Sequence, residues 1–462
     1  MVALSRCFGS LALLLSGAEG ARISRKSTAF HPKTKFIAGV PVFEYHAAYG
    51  GKATLGELES EAEEEWVMIL EPSTSDAQVQ RLCKTNKNGC KLVGHPHGGV
   101  PFLEMRGTEV DLERAILIGK GVVKFITPDQ EDFLIPEIEG EVGVQAATWG
   151  LNRIAADSRG RTGAGATIYV QDTGVRVTHD EFGGRAASAL DLSSGSPVEC
   201  NGDLNCAADR QSHGTHCAGS AAGANYGVAP GAEVRAVKTL SDQGSGSRSW
   251  QYTGIDWVTV NGVRPAVISM SLGGSGSDPS YNAVIDAAVN NGVTVVVAGG
   301  NSNSDSCNFS PAFAANAITV GSTTSLDARS SFSNYGPCTN IWAPGSDILS
   351  AGISSDSATN TYSGTSMACP HVSGAAALIL SVDPTKKASA VLEELLGNAA
   401  VNVLTDLKAG GTNALLYVGE GGAPPSPTVA PTPPPPADNC PSWCSPGFGC
   451  FFQACRDNCA FC

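Results

Sequence analysis

Short apolar runs recur along this chain, and what separates them changes near residue 144. Before that point the runs 66–70, 102–105 and 122–126 read as strands. Segments 75–82 and 109–117 read as helices, the second with Leu112, Ala115 and Ile116 on one face. A solvated acidic stretch, 57–65, leads into them. Together these elements predict a small α+β unit over about 64–130. Cys83 and Cys90 flank a turn-rich stretch inside it and are expected to form a local disulfide. Beyond 144, β-branched runs at 166–170, 234–237, 266–270 and 293–297 alternate with Ala- and Gly-rich helical stretches, one of them 280–290 behind Asp278-Pro279. Continuous apolar strands between helices belong to a parallel sheet covered on both faces. This part is therefore expected to be an α/β domain built on a doubly wound, mostly parallel sheet, ending near residue 420.

The two ends of the chain follow other patterns. Residues 1–20 carry a basic start, a short apolar run and small residues after it, the layout of a secretory signal peptide. That run is too short to span a bilayer, and no other segment is expected to span one. Residues 421–438 are Pro-rich and read as a semi-rigid linker. Residues 439–462 hold six cysteines spaced C-x3-C-x5-C-x4-C-x3-C-x2-C. So short a segment cannot bury a core, and three disulfides are expected to staple it into a mini-domain.

Composition narrows the function classes. At 42% hydrophobic residues the chain can bury a core, and wholesale disorder is excluded. A formal charge of -14 argues against a nucleic-acid-binding protein. The 15 cysteines divide unevenly: one in the signal, two before 144, six in the α/β part and six in the tail. Cys200 and Cys206 are close enough to bridge a surface loop. Cys217 and Cys369 each fall one helical turn after a candidate catalytic residue and are expected to be buried free thiols.

Three motifs carry candidate chemistry. Val170-Gln171-Asp172-Thr173-Gly174 puts an aspartate just past a buried strand. Ser212-His213-Gly214-Thr215-His216 opens a helix of small residues, and Gly364-Thr365-Ser366-Met367-Ala368 opens a second one running to Leu380. Acyl transfer to a hydroxyl needs a base to take its proton and a carboxylate to orient the base. Asp172, His213 and Ser366 supply these groups in the chain order Asp, His, Ser. An aspartic peptidase would need a second Asp-Thr-Gly, which is missing. A zinc pair is disfavoured because the histidines are three apart with no Glu between them. Pro370 is read as tolerable near the start of its helix, where N–H groups lack intrahelical partners.

On these motifs the chain resembles subtilisin-like serine peptidases of the proteinase K type, over roughly 145–418. The resemblance places Asp172, His213 and Ser366 on the family's triad, and Ala298-Gly299-Gly300-Asn301 on its oxyanion motif. Asn301 would then be the side-chain donor, with the backbone N–H of Ser366 as the second. Gly244, Ser245 and Gly246, and Ser271, Leu272, Gly273 and Gly274, match the two strand edges that sandwich an extended peptide. Gly299 and Gly300 would wall the pocket for the residue preceding the cleaved bond (P1). No acidic cluster lies in these edges, so broad cleavage with an apolar or aromatic P1 is expected.

The resemblance also implies an inhibitory prosegment within a propeptide at 21–143, a peptidase domain at 144–420, and autocleavage between about Glu139 and Gln145. It pairs Cys307 with Cys338. It implies protein or peptide substrates, the chain's own prosegment as inhibitor, no cofactor for catalysis, a monomer, and secretion to the extracellular space. Structural calcium is expected as a stabiliser with no ligand assigned, because Asn340 stands where relatives place a calcium-binding aspartate. His95 and His97 are read as loop histidines without a special role, with pH sensing during release as the alternative. The alternative is a non-catalytic adhesion or matrix-binding protein on the same scaffold, using its cysteine-rich tail.

Overall fold

The computed structural model describes residues 34–45, 62–135, 138–139, 149–408 and 410–420. The expected signal peptide, linker and cysteine-rich module lie outside the described residues, as does the stretch 140–145 of the processing window.

The N-terminal unit is a six-stranded sheet in the order Lys35–Ile37, Val40–Val42, Val123–Pro128, Glu64–Leu70, Phe102–Gly107, Leu92–Val93. It reaches further back than the expected 64–130, because Val42 pairs with Ile126 and draws two short strands onto the edge. Helices Asp76–Thr85 and Glu109–Ile118 each begin in a capping box, Ser75 with Gln78 and Thr108 with Asp111. The central run 66–70 is apolar without alternation because both faces of its strand are buried. Trp66, Met68 and Leu70 pack with Val79, Leu82, Leu112 and Ile116 of the helices. Val67 and Ile69 point the other way and join Tyr252, Ile255 and Val258 in the core of the larger domain. Cys83 is bonded to Cys90.

The larger domain is built on a ten-stranded sheet. Its seven main strands lie in the order Ala186–Asp191, Glu233–Lys238, Thr167–Asp172, Ala266–Met270, Val293–Ala298, Ile318–Thr323, Ile341–Pro344, all parallel. Strands 186–191, 318–323 and 341–344, and the helix Arg248–Asn261, have no counterpart in the periodicity reading. In 186–191 Ala and Ser, and in 318–323 Thr, Gly and Ser, interrupt the apolar run, although 318–323 is fully buried. The strand order reverses around Thr167–Asp172: the chain places Glu233–Lys238 on one side of it and then crosses to place Ala266–Met270 on the other. In such sheets ligands bind outside the carboxyl ends of the strands at the reversal.

Two helices run through the layer that carries the site, His213–Ala222 and Thr365–Val382, both almost wholly buried. Small residues let them approach each other: a Cβ on Gly374 would stand 2.6 Å from the Ala221 carbonyl oxygen. Helix Thr365–Val382 has the length and apolarity of a membrane span, but 89% of it is buried inside the domain. Disulfides Cys200–Cys206 and Cys307–Cys338 fasten surface loops, while Cys217 and Cys369 are free and buried.

Candidate active site

The three motif residues converge at the carboxyl end of the sheet. Asp172 is the last residue of Thr167–Asp172, His213 the first of its helix, and Ser366 the second of its helix. His213 Nδ1 lies 2.8 Å from Asp172 Oδ1 and 3.0 Å from Oδ2, with both side chains buried. Burial pulls the imidazole down, but the Asp172 charge overrides it and holds His213 well above the ordinary histidine value. His213 Nε2 is buried and has no hydrogen-bond partner among the described residues.

The Ser366 hydroxyl is turned instead to two carbonyls, Ser271 O at 3.3 Å and Ile135 O at 3.4 Å. Ile135 belongs to a segment laid through the site. Strand Glu131–Leu134 pairs antiparallel with Ser245–Ser247 on one side and with Leu272–Ser275 on the other. Leu134 N–H donates to Gly244 O at 2.8 Å. Gly244 has φ +81°, and a Cβ there would meet the Leu134 side chain at 2.1 Å, so glycine is what lets this segment lie so close. Past the serine, Ile138 and Glu139 pair with Ser363 and Tyr362. The carbonyl at the serine thus lies four residues before the start of the expected processing window.

A cavity of about 640 Å³ borders Ile135 and is walled by Leu272, Gly273, Gly274, Ala298, Gly299 and Gly300. Asn301 sits at its rim, where Oδ1 accepts from the Thr365 N–H and hydroxyl, each at 2.9 Å. These bonds fix the amide beside Gly364, where a Cβ would meet Asn301 Nδ2 at 3.0 Å. The Ser366 N–H lies in the first turn of its helix and has no intrahelical acceptor.

Several residues that hold this arrangement carry no motif. Asp209 is buried and binds the start of the His213 helix. Oδ1 accepts from Ser212 N–H at 2.9 Å and from Thr173 Oγ1 at 3.0 Å, and Oδ2 from Thr215 N–H at 2.9 Å. Ser212 itself has φ +101°, a strained conformation for a non-glycine residue. Asn334 braces the wall at Gly299–Gly300, donating to Gly299 O at 2.8 Å and accepting from Ser302 and Ser304 N–H at 3.0 Å.

The reading of Pro370 needs correction. It is the sixth residue of its helix, so the N–H it lacks is the one that would have reached the Ser366 carbonyl. That carbonyl accepts instead from Ser271 Oγ at 3.0 Å and Cys217 Sγ at 3.4 Å. His216 turns away from the site, with Nε2 on the carbonyls of Ile348 at 3.0 Å and Asn360 at 3.1 Å. Burial pulls it down to about 3, so it is neutral. Asn340 Oδ1 accepts from Thr319 N–H at 2.7 Å, so that oxygen is already engaged in the protein's own bonding.

A serine at a helix start, beside a buried histidine–carboxylate pair and a peptide-edged cleft, defines a hydrolase acting by acyl transfer. Comparison with known proteins narrows this. The model of the subtilase family matches residues 163–421, more than half of the chain. An extracellular serine proteinase of Thermus sp. (strain Rt41A) is 47% identical, over 68% of this chain and 79% of its own. Subtilisin-like protease 2 of Pseudogymnoascus destructans is 44% identical, over 75% of this chain and 85% of its own. The crystal structure of a cold-adapted subtilisin-like serine proteinase superposes with a TM-score of 0.54 at 43% identity, covering 59% of this chain and 99% of that one. The chain belongs to the subtilase family and is a serine endopeptidase.

Proposed function

We propose that Asp172, His213 and Ser366 form the catalytic triad of a secreted endopeptidase made as a self-inhibited precursor. His213 takes the Ser366 proton as the hydroxyl attacks the peptide carbonyl. Asp172 holds the imidazole in the tautomer that presents Nε2 and stabilises the imidazolium that forms. Asn301 and the Ser366 N–H receive the oxyanion; one such donor is worth roughly 10²–10³ in kcat, a figure known from a subtilisin. His213 then protonates the leaving amine, and water releases the acyl group. No cofactor enters these steps, and calcium is proposed only as a stabiliser.

The observation that carries this reading is the Glu131–Ile135 segment between the two cleft edges, with its carbonyl at Ser366. It supports a prosegment that occupies the cleft as a substrate would. On this reading 1–20 is a signal peptide, 21–143 the propeptide, 144–420 the monomeric peptidase, 421–438 a linker and 439–462 an accessory module. The apolar cavity beside Ile135 supports an apolar or aromatic P1. The non-catalytic alternative has no observation in its favour. A fluorophosphonate probe tests the proposal: processed wild-type protein is labelled and Ser366→Ala is not. Peptidase activity falls roughly 10⁶-fold in that variant, the scale found for a subtilisin triad. Absence of label on processed wild-type protein overturns the reading.

A further inference from the structure

With the Ile135 carbonyl at Ser366, Asp132 is the fourth residue upstream of the bond presented to the serine, the P4 position. Its carboxylate is completely buried against the peptidase domain. Oδ1 accepts from Arg248 Nε at 3.2 Å, and Oδ2 accepts from the Tyr281 hydroxyl. Arg248 and Tyr281 are themselves buried.

The donors are divided in a telling way. Arg248 Nη1 goes to Asp278 Oδ2 at 3.1 Å, and Nη2 to Ser275 O at 3.2 Å. Those bonds lie within the peptidase domain and do not involve the cleft segment. Asp278 is further served by Tyr252 Oη at 3.1 Å and by Ser280 N–H at 2.9 Å, at the start of helix Pro279–Asn290. Its charge is therefore met without the cleft segment. Arg248 Nε and Tyr281 Oη are different: the hydrogen bonds described for them go to Asp132.

We infer that the subsite for P4 is built to receive a carboxyl group, so that an acidic P4 residue is a positive specificity determinant of this peptidase. The inference rests on the cleft reading proposed above and adds a substrate class to it. An alkyl P4 side chain would bury two donors with no acceptor, at the cost of both hydrogen bonds. A P4 amide offers one acceptor oxygen and turns its NH₂ toward the second donor. A P4 lysine would meet the guanidinium. Burial pushes the Asp132 carboxyl above its ordinary value, and Arg248 and Tyr281 work against that shift.

Four internally quenched peptides test this with processed enzyme. They keep Phe, Leu and an apolar P1 at the next three positions and carry Asp, Asn, Leu or Lys at P4. The Asp peptide is expected to exceed Leu and Lys in kcat/KM by roughly 10- to 100-fold, the scale of a hydrogen bond to a charged group. Asn falls between them. In Tyr281→Phe, which keeps the ring and its packing, and in Arg248→Gln, the ratio of Asp to Leu falls. Equal rates across the four peptides, or preference for Leu, overturn the acidic subsite and leave the cleft reading standing. Cleavage of none of the four overturns the cleft reading itself, and this inference with it.

Discussion

His213 depends on Asp172 for both its tautomer and its charge. The carboxylate spans Nδ1 with both oxygens, so the ring proton is held there and Nε2 faces the cleft. The same charge keeps the imidazolium form stable well above the ordinary histidine value. A base must be deprotonated to act, so activity is lost as pH falls through that raised value. The acid limb of kcat/KM is therefore expected above about 6.5, the ordinary histidine value. Asp172→Asn removes the charge and leaves an amide that can present its NH₂ to Nδ1, which favours the wrong tautomer. The variant is expected to fold, to lose about 10⁴ in kcat, as in another serine-peptidase triad, and to shift its acid limb downward. A pH–rate profile of both proteins checks this; an unmoved limb in the variant contradicts the assignment.

At the scale of elements, the readable parts of the sequence were those that repeat a local rule. The helices at 75–82 and 109–117, the β-branched strands and the three motifs announce themselves because each is encoded within a few residues. Strand Glu131–Leu134 does not. Its exposed–buried alternation reflects a cleft 110 or more residues away, formed by the pairings of Asp132 with Gly246 and of Phe133 with Gly273. Asp209 and Asn334 were equally hidden, since a buried carboxylate or amide that binds backbone N–H groups leaves no periodic trace. Pro370 was visible but misread, because its effect falls on the Ser366 carbonyl rather than on its own N–H. The role of Asp209 can be separated from general stability. It gathers the Ser212 and Thr215 N–H groups as an N-cap does, and loss of such a cap costs about 1–2 kcal/mol. Asp209→Ala is expected to lower the midpoint of thermal unfolding and also to reduce kcat while KM changes little, because His213 loses its fixed start. Asp209→Asn keeps one acceptor and is expected to recover part of kcat. A variant less stable but equal in kcat would make Asp209 structural only.

At the scale of the whole molecule, the contact between the N-terminal unit and the peptidase domain is rich in groups that hold protons more tightly when docked. Asp129 accepts from the Ser249 N–H at 2.9 Å and hydroxyl at 2.7 Å at the start of helix Arg248–Asn261. Burial, with Glu104 adding to it, pushes Asp129 up to about 7. The cause is visible in the geometry: carboxylate oxygens of Glu65, Glu104 and Asp129 gather within 4.8 Å of one another, and Lys91 is the cation paired with them among the described residues, at 3.2 Å from Glu65 and 3.1 Å from Glu104. Three such carboxylates cannot all ionise cheaply. Burial also pushes Glu104 and Asp132 above their ordinary values. On the far side, His95 Nδ1 lies 2.6 Å from Asp256 Oδ2, and that hydrogen bond raises His95 against the opposing effect of its partial burial, with Asp76 adding a smaller pull. The sign is the same for all four groups. A value raised in the docked state means that the docked state binds more protons than the separated parts, so its stability is complete in acid and drains away as pH rises. For Asp129 the loss runs from 3.8 to about 7, and His95 carries it upward from the ordinary histidine value. The proposed prosegment should therefore stay bound in mild acid and let go toward neutral and alkaline pH, where the peptidase would work. Autoprocessed protein held at about pH 5 is expected to elute as one complex in size-exclusion chromatography, and at about pH 8 to release the N-terminal unit. Asp129→Asn and His95→Ala together should flatten that difference, whereas tighter association at the higher pH would reverse the sign and refute the account.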